Sequence, residues 1–310
     1  MSSVVTPASV SAGPPDCARA LGISTIFRDE AQYLAEWIEF HIEQGFSRFY
    51  LTNDQSTDDF LAVLEPWIST GVVTLLEARQ DLNFHKRQVA ANNSGLRLAK
   101  KECCWLAFVD VDEFLYSQDG DFHSALPKGR WVAGVVIWWR IFGSSGHLEK
   151  PEGGVLKNFT RAARFPVSLE ELESTYRLQN EHFFSGRKRP ISGRVLQVKS
   201  IVRPNLTSQF RVHFPARIFG KMVDVRGNRI PKRIMKSLVS GQPWSDRMGR
   251  LEPVLGNIRL NHYWSKSKAE LTQKAEKFGR AAVDDYLAWE SVLNAELDDS
   301  LSVNGLARDS

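Results

Sequence analysis

The chain has 310 residues, enough to bury one large core or two modest ones, and its 43% apolar and 25% charged side chains are ordinary for a soluble globular protein. Forty basic against 36 acidic residues leave a net charge of only +4, too small and dispersed to argue for nucleic acid. Three cysteines (Cys17, Cys103, Cys104) supply no disulfide framework and suit a reducing, cytoplasmic setting, and no apolar run approaches the ~18 residues of a membrane span.

Residues 1–18, rich in Ser, Ala, Val and Pro, read as a disordered lead without a secretory signal. Residues 21–27 predict a strand, after which Asp29 is placed as a helix N-cap with Gln32 at the capping-box position. The following helix carries Leu34, Trp37, Ile38, His41, Ile42 and Gly45 on one stripe, the pattern of a helix packed on a sheet. Residues 48–52 form a second strand closed by the turn-rich 53–58. A helix over 58–69, a strand over 72–77 and a helix over 86–101 follow. Cys103 and Cys104, as buried thiols, mark the passage into the apolar stretch Trp105-Leu106-Ala107-Phe108-Val109. Strands separated by helix-length segments imply right-handed βαβ units and a parallel sheet. Ligands bind such sheets beyond the carboxyl ends of the strands, so residues 27–30, 52–58 and 110–113 are expected on one edge.

The second half reads differently. Strands are predicted over 132–141, 197–202, 209–214, 217–225 and 258–263, with a turn signal at Arg226-Gly227-Asn228. Residues 155–201 are broken and polar, and the basic run Arg187-Lys188-Arg189 reads as a solvated loop, with polyanion binding as the other reading. An amphipathic helix pair closes the chain, with Leu271, Ala275, Phe278, Ala282, Tyr286, Trp289, Leu293 and Leu297 as its core stripe and Gly279 as a break. There is no internal repeat.

The run Asp110-Val111-Asp112-Glu113 carries the chemistry. Side chains two apart on an extended backbone face the same way, so Asp110 and Asp112 are expected to face one partner. Two hard oxygen donors suit Mg²⁺ or Mn²⁺, ions that complete their shell with substrate phosphates. An ordinary strand-to-turn transition is the other reading, and it leaves carboxylates beside an apolar strand in need of a partner. Arg28, Glu30, Asn53 and Asp54 end the neighbouring strands, although capping and turn formation also explain such residues. Gln88 and Asn92, four apart on one helix face, are placed to reach the same ligand. Trp138-Trp139 followed by the loop Gly143-Ser144-Ser145-Gly146 suits a sugar, with at most one tryptophan in contact with it. His262 stands before Lys266 and Lys268, which can neutralise phosphate, and its imidazole can join a carboxylate metal site.

These segments together carry a resemblance. Arg28-Asp29-Glu30, the run from Glu36 to His41, Asn53-Asp54, Phe108-Val109-Asp110-Val111-Asp112-Glu113-Phe114-Leu115, Phe142-Gly143-Ser144-Ser145-Gly146-His147, Lys199-Ser200-Ile201-Val202-Arg203-Pro204 and Asn261-His262-Tyr263 resemble glycosyltransferase family 92 and related family-2-like transferases, in consistent order over about residues 22–280. The resemblance implies an α/β GT-A fold with a mixed central sheet. Residues 19–300 are then a single domain: a nucleotide-sugar half (19–116), an acceptor half (117–265) and C-terminal helices (266–298). It implies a divalent ion, Mn²⁺ or Mg²⁺, with Asp112 as direct ligand, Asp110 at the ribose or a metal-bound water, and His262 approaching the ion. Arg28, Glu30, Asn53 and Asp54 would line the nucleotide pocket, and Lys199, Arg203 or Lys266 would help neutralise the departing diphosphate. The expected reaction moves a hexose, UDP-linked, to a glycan or other hydroxyl with inversion, which needs a general base. His147, Glu149, Glu181 and His213 stand unranked for that role. The expected setting is the cytoplasm of a microbe, with peripheral contact at the inner face of the membrane left open. A haloacid-dehalogenase-like phosphohydrolase also places Asp-x-Asp after an apolar strand, but Glu113-Phe114-Leu115 and the late position of the motif disfavour it. A non-catalytic nucleotide- or carbohydrate-binding module is the remaining alternative.

Overall fold

The computed structural model describes residues 20–168, 170–171, 197–239, 244–245, 249–277 and 286–301. Apolar segments of the first half form the parallel strands β1 (Leu21–Phe27), β2 (Phe46–Asn53), β3 (Val73–Glu77) and β4 (Trp105–Phe108), joined by helices α1 (Ala31–Glu43), α2 (Phe60–Ser69) and α3 (Phe84–Glu102). Alternation along β1 divides the helices between two faces. Leu21 and Ile23 point into the core beneath α1 and α2. The other face meets α3 so closely that a Cβ on Gly95 would stand 2.2 Å from the Ser24 hydroxyl, so only glycine fits.

The second half extends this sheet. Strands β5 (Glu113–Ser117), β6 (Val132–Ile141), β7 (Arg161–Ala162), β8 (Val198–Val202), β9 (Thr207–Phe210), β10 (Pro215–Ile218), β11 (Lys221–Asp224), β12 (Trp244–Ser245), β13 (Gly249–Arg250), β14 (Ile258–His262) and β15 (Glu296–Leu297) follow in the chain. The order across the nine-stranded sheet is β3-β2-β1-β4-β8-β6-β14-β5, with β11 alongside the first half of β6. β8 is inserted antiparallel between β4 and β6, which therefore run the same way, and β14 follows β6 in parallel. This is the mixed α/β architecture the resemblance implies. The carboxyl ends of β1, β2, β4, β6 and β14 and the starts of β8 and β5 all fall on one edge.

Several local expectations are corrected. Asp29 is not the cap of α1: Glu30 occupies that position, and Asp58 Oδ2 accepts the Ala31 N–H at 2.7 Å in its place. Asp110 and Asp112 are not two positions of one strand, because β4 stops at Phe108 and a turn closes with the Glu113 N–H on the Asp110 carbonyl (3.0 Å). The expected strand over 217–225 is two strands, β10 and β11, broken at Gly220, whose φ of +133° continues no strand. Arg226-Gly227-Asn228 does form the turn, with Gly227 at φ +85°. Of the closing helices, Lys268–Lys277 and Tyr286–Leu293 are present, and Leu271 and Leu293 are buried, but Leu297 is 64% exposed because it belongs to β15, not to a helix. Residues 1–18, Arg187-Lys188-Arg189, Glu181, Phe278, Gly279 and Ala282 lie outside the described residues.

Candidate active site

Three elements reach one another across 89 to 162 residues of sequence to build the acidic edge. β8 runs antiparallel to β4, so its second residue, Lys199, arrives beside the turn that follows β4. The Lys199 Nζ donates to Asp110 Oδ2 at 2.8 Å and lies 3.1 Å from Glu113 Oε2, and the residue is 2% exposed. Burial works against its charge, but Asp110 and Glu113 outweigh burial and hold its pKa above the usual lysine value. Glu113 is fully buried and accepts the Asp110 N–H at 2.8 Å. Burial pushes its carboxyl well above the usual range, against the pull of Lys199.

Asp112 faces a different group. β14 pairs antiparallel with β5, bringing His262 opposite Glu113, and the Tyr263 N–H donates to the Asp112 carbonyl at 2.8 Å. Asp112 Oδ1 lies 3.5 Å from His262 Nε2, and Asp112 Oδ2 accepts from Lys274 Nζ at 2.6 Å. Burial opposes the charge of Asp112, yet Lys274 and His262 outweigh it and hold the carboxyl well below its usual value. His262 moves the other way: burial lowers its pKa more than Asp112 restores it. Its ring lies 4.3 Å from that of Trp139, tilted by 60°, and Trp139 also meets His213 edge-on at 5.6 Å. Among the described residues neither His262 Nδ1 nor Trp139 Nε1, both buried, has a hydrogen-bond partner, and such atoms call for a ligand or water to pair with them.

Lys266 completes the edge. Its ammonium sits 3.4 Å above the Tyr33 ring and 3.9 Å from Glu30 Oε2. Burial lowers its pKa despite Glu30 and Asp112. The Tyr33 hydroxyl donates to Glu270, which also accepts the Ser267 N–H at 3.1 Å and so starts the helix that carries Lys274. Lys266 has φ +49°. The other non-glycine residues with positive φ among those described are Asp29, Gln55 and Ser145, in the loops after β1, β2 and β6. All four lie on this edge, and left-handed backbone at such residues is retained where surrounding structure over-determines it, commonly at functional sites.

The remaining expected residues divide by what already holds them. Arg28 donates to Gln55 at 2.9 Å, and Asp29 accepts the Thr57 N–H at 2.6 Å, lacing the first two loops together. Asn53 is engaged by Glu77 (3.0 Å), and Asp54 by Arg87 (2.7 Å), so both shape the edge through protein partners. Asn92 is buried and donates to the Arg211 carbonyl at 2.9 Å, while Gln88 is half-buried one turn away. The His147 ring reaches the Asn158 carbonyl at 3.2 Å, and Glu149 is exposed in the same loop. Trp138 is buried with its indole N–H on Glu252, which leaves Trp139 as the tryptophan at the edge. The Gly143–Gly146 loop is engaged by the C-terminal segment: Ser144 donates to Glu290, and Asn294 accepts the Ser145 N–H at 2.8 Å.

Two carboxylates and an imidazole are a suitable donor set for Mn²⁺ or Mg²⁺. Their arrangement is not: among the described residues no three His, Cys, Asp or Glu side chains gather closely enough to hold an ion, and ammonium groups occupy Asp110 and Asp112. Lys274 and Tyr33 are the residues the sequence did not flag; only reading the segment after His262 as one loop and helix would have pointed to Lys274.

A family model described as Glycosyltransferase family 92 matches residues 20–286. A family 92 protein of Ricinus communis is 28% identical over 177 residues, covering 52% of this chain and 31% of its own length. One from Arabidopsis thaliana is 25% identical over 233 residues, covering 67% and 39%. A galactan β-1,4-galactosyltransferase of Arabidopsis thaliana is 32% identical over 91 residues, covering 27% and 18%. The chain thus spans under two fifths of the length of these curated relatives. Among solved structures, Staphylococcus aureus TarS 1–349 has 15% identity and a TM-score of 0.32, covering 60% of this chain and 48% of that one. Glucosyl-3-phosphoglycerate synthase from Mycobacterium tuberculosis, solved with Mn²⁺, UDP and phosphoglyceric acid, has 14% identity and a TM-score of 0.32, covering 73% and 80%. With one family model running from the start of β1 into the last helix, the chain belongs to glycosyltransferase family 92.

Proposed function

We propose that the chain transfers a hexose from a nucleotide sugar, UDP-linked, to a glycan or other hydroxyl acceptor with inversion. The observation that carries this reading is the meeting of Asp112, His262, Lys266 and Lys274 at the sheet edge where the left-handed loop residues also lie. Lys266 and Lys274 supply positive charge where a diphosphate leaving group would sit, in a partly buried setting that strengthens each charge–charge contact. Arg28 and Glu30 face the nucleoside side of that edge, Asp110 is the carboxylate nearest the ribose, and Lys199 holds Asp110 in place. Inversion calls for a base opposite the leaving group. Of His147, Glu149 and His213, His213 is the one joined to His262 through described ring contacts. A divalent ion would have to take Asp112 from Lys274.

The test is thermal stabilisation of the chain by a panel of sugar nucleotides, followed by transfer assays with the nucleotide that stabilises it. Wild type is expected to respond to a uridine diphosphate sugar, and Asp112→Asn and Lys266→Ala to lose most of that response. Equal responses in wild type and Asp112→Asn, or none in wild type, would sink the donor-site reading. Binding without transfer to any hydroxyl would favour the non-catalytic module.

A further inference from the structure

At the opposite edge of the sheet, where β6 and β11 begin, two large aromatic side chains stand in solvent: Trp131 is 52% and Phe219 67% exposed. Their rings meet edge-to-face with centroids 5.6 Å apart. The backbone beneath keeps them together, since the Lys221 N–H donates to the Trp131 carbonyl at 2.8 Å and the Phe219 N–H to the Leu206 carbonyl at 2.7 Å. Beside them opens a recess of about 440 Å³, lined by Arg130, Trp131, Arg203 and Asn205 among others and, among the described residues, by no carboxylate. Lys128 and Lys221 add exposed positive charge on the same edge. Arg203 is fixed by its guanidinium 4.7 Å from the Trp105 ring and a 3.2 Å hydrogen bond to the Pro127 carbonyl.

We infer that this edge docks the protein onto an anionic membrane surface, with Trp131 and Phe219 entering the headgroup region and Lys128, Arg130 and Lys221 meeting acidic headgroups. Paired exposed aromatics are a poor fit to bulk water and a good fit to the headgroup boundary, where an apolar ring and a polar N–H are both satisfied. Basic residues around them select anionic lipid, each adding about fivefold to partitioning. An acidic glycan is the competing occupant, but stacking a pyranose needs an open ring face. Here the Arg130 guanidinium lies 5.3 Å from the Trp131 ring and Phe219 meets that ring edge-on, so Trp131 lacks a clear platform. The inference is independent of the donor site, which lies at the other ends of the same strands.

Co-sedimentation of the full chain with vesicles tests it, using phosphatidylcholine alone and phosphatidylcholine with one part in three phosphatidylserine. Wild type is expected to bind the anionic vesicles and to release as salt is raised. Trp131→Ser with Phe219→Ser should lower partitioning by about tenfold or more, given the apolar area withdrawn. Arg130→Gln with Lys221→Gln should lower it about fivefold per charge while keeping the fold, since both side chains are exposed. Asp112→Asn should bind vesicles as wild type does. No binding of wild type to anionic vesicles, or undiminished binding by both double variants, overturns the inference. Quenching of tryptophan fluorescence by an oligogalacturonate, lost in Trp131→Ser and without vesicle binding, overturns it in favour of an acidic-glycan site.

Discussion

Lys199 shows how much one side chain organises here. A buried ammonium between the partly exposed Asp110 and the fully buried Glu113 gains little net stability as a unit, but removing it strands Glu113 in a low-dielectric setting. Lys199→Met is therefore expected to cost about 3–5 kcal/mol in denaturant unfolding, the range for breaking a buried pair. A loss below about 1 kcal/mol would mean Asp110 and Glu113 are satisfied without it. Lys274 is a different case, because it competes for a carboxylate that a cation could also use. Lys274→Ala should bind Mn²⁺ more tightly than wild type by calorimetry, since Asp112 is released. Equal affinities would show that the ammonium does not guard Asp112. The acidic pair itself was legible in the sequence, because an apolar run ending in carboxylates demands a partner. The partners were not legible: they lie 89 and 162 residues away, and no local pattern reports such pairings.

Among elements, α1 is tied to the sheet by a histidine that periodicity identified only as a core position. The His41 Nδ1 lies 2.7 Å from the Trp37 carbonyl, which can only accept, so Nδ1 carries the proton; Nε2 then accepts the Leu115 N–H at 3.1 Å. Burial holds its pKa down at about 3, from an ordinary 6.5. The folded state thus refuses a proton that the unfolded chain takes up below pH 6.5. The stability His41 contributes is complete above that pH and falls as pH drops toward 3. The slope should be about 1.4 kcal/mol per pH unit, the value for one proton. Unfolding free energies of wild type minus those of His41→Gln, followed between pH 6.5 and 4, should change by that slope; a flat difference would show that His41 titrates normally. The strand that receives this bond, β5, escaped the sequence reading. Its residues continue the acidic motif, and only the turn at Asp110–Glu113 separates it from β4.

At the scale of the molecule, the first half was legible because alternating strand and helix signals leave little choice of topology. The second half was legible only as a set of strands. An antiparallel strand inserted between two that run together is written in long-range pairing, and periodicity is blind to it. The same limit explains the C-terminal segment, where Arg140 pairs with Asp298 and Glu296, and β15 with β7, beside the Gly143–Gly146 loop whose composition suits a sugar. β8 has a consequence of its own. Lys199 stands at one end, and Arg203 one residue beyond the other, four residues and about 13 Å apart at the rise of a strand. A protein seated on a lipid surface by the Arg203 end would hold its reacting edge at a set height, turned away from that surface. No hinge lies in this spacer, so reach is fixed by strand length. An acceptor on a short lipid tether would fall beneath that height, whereas a chain already extended outward would come level with it.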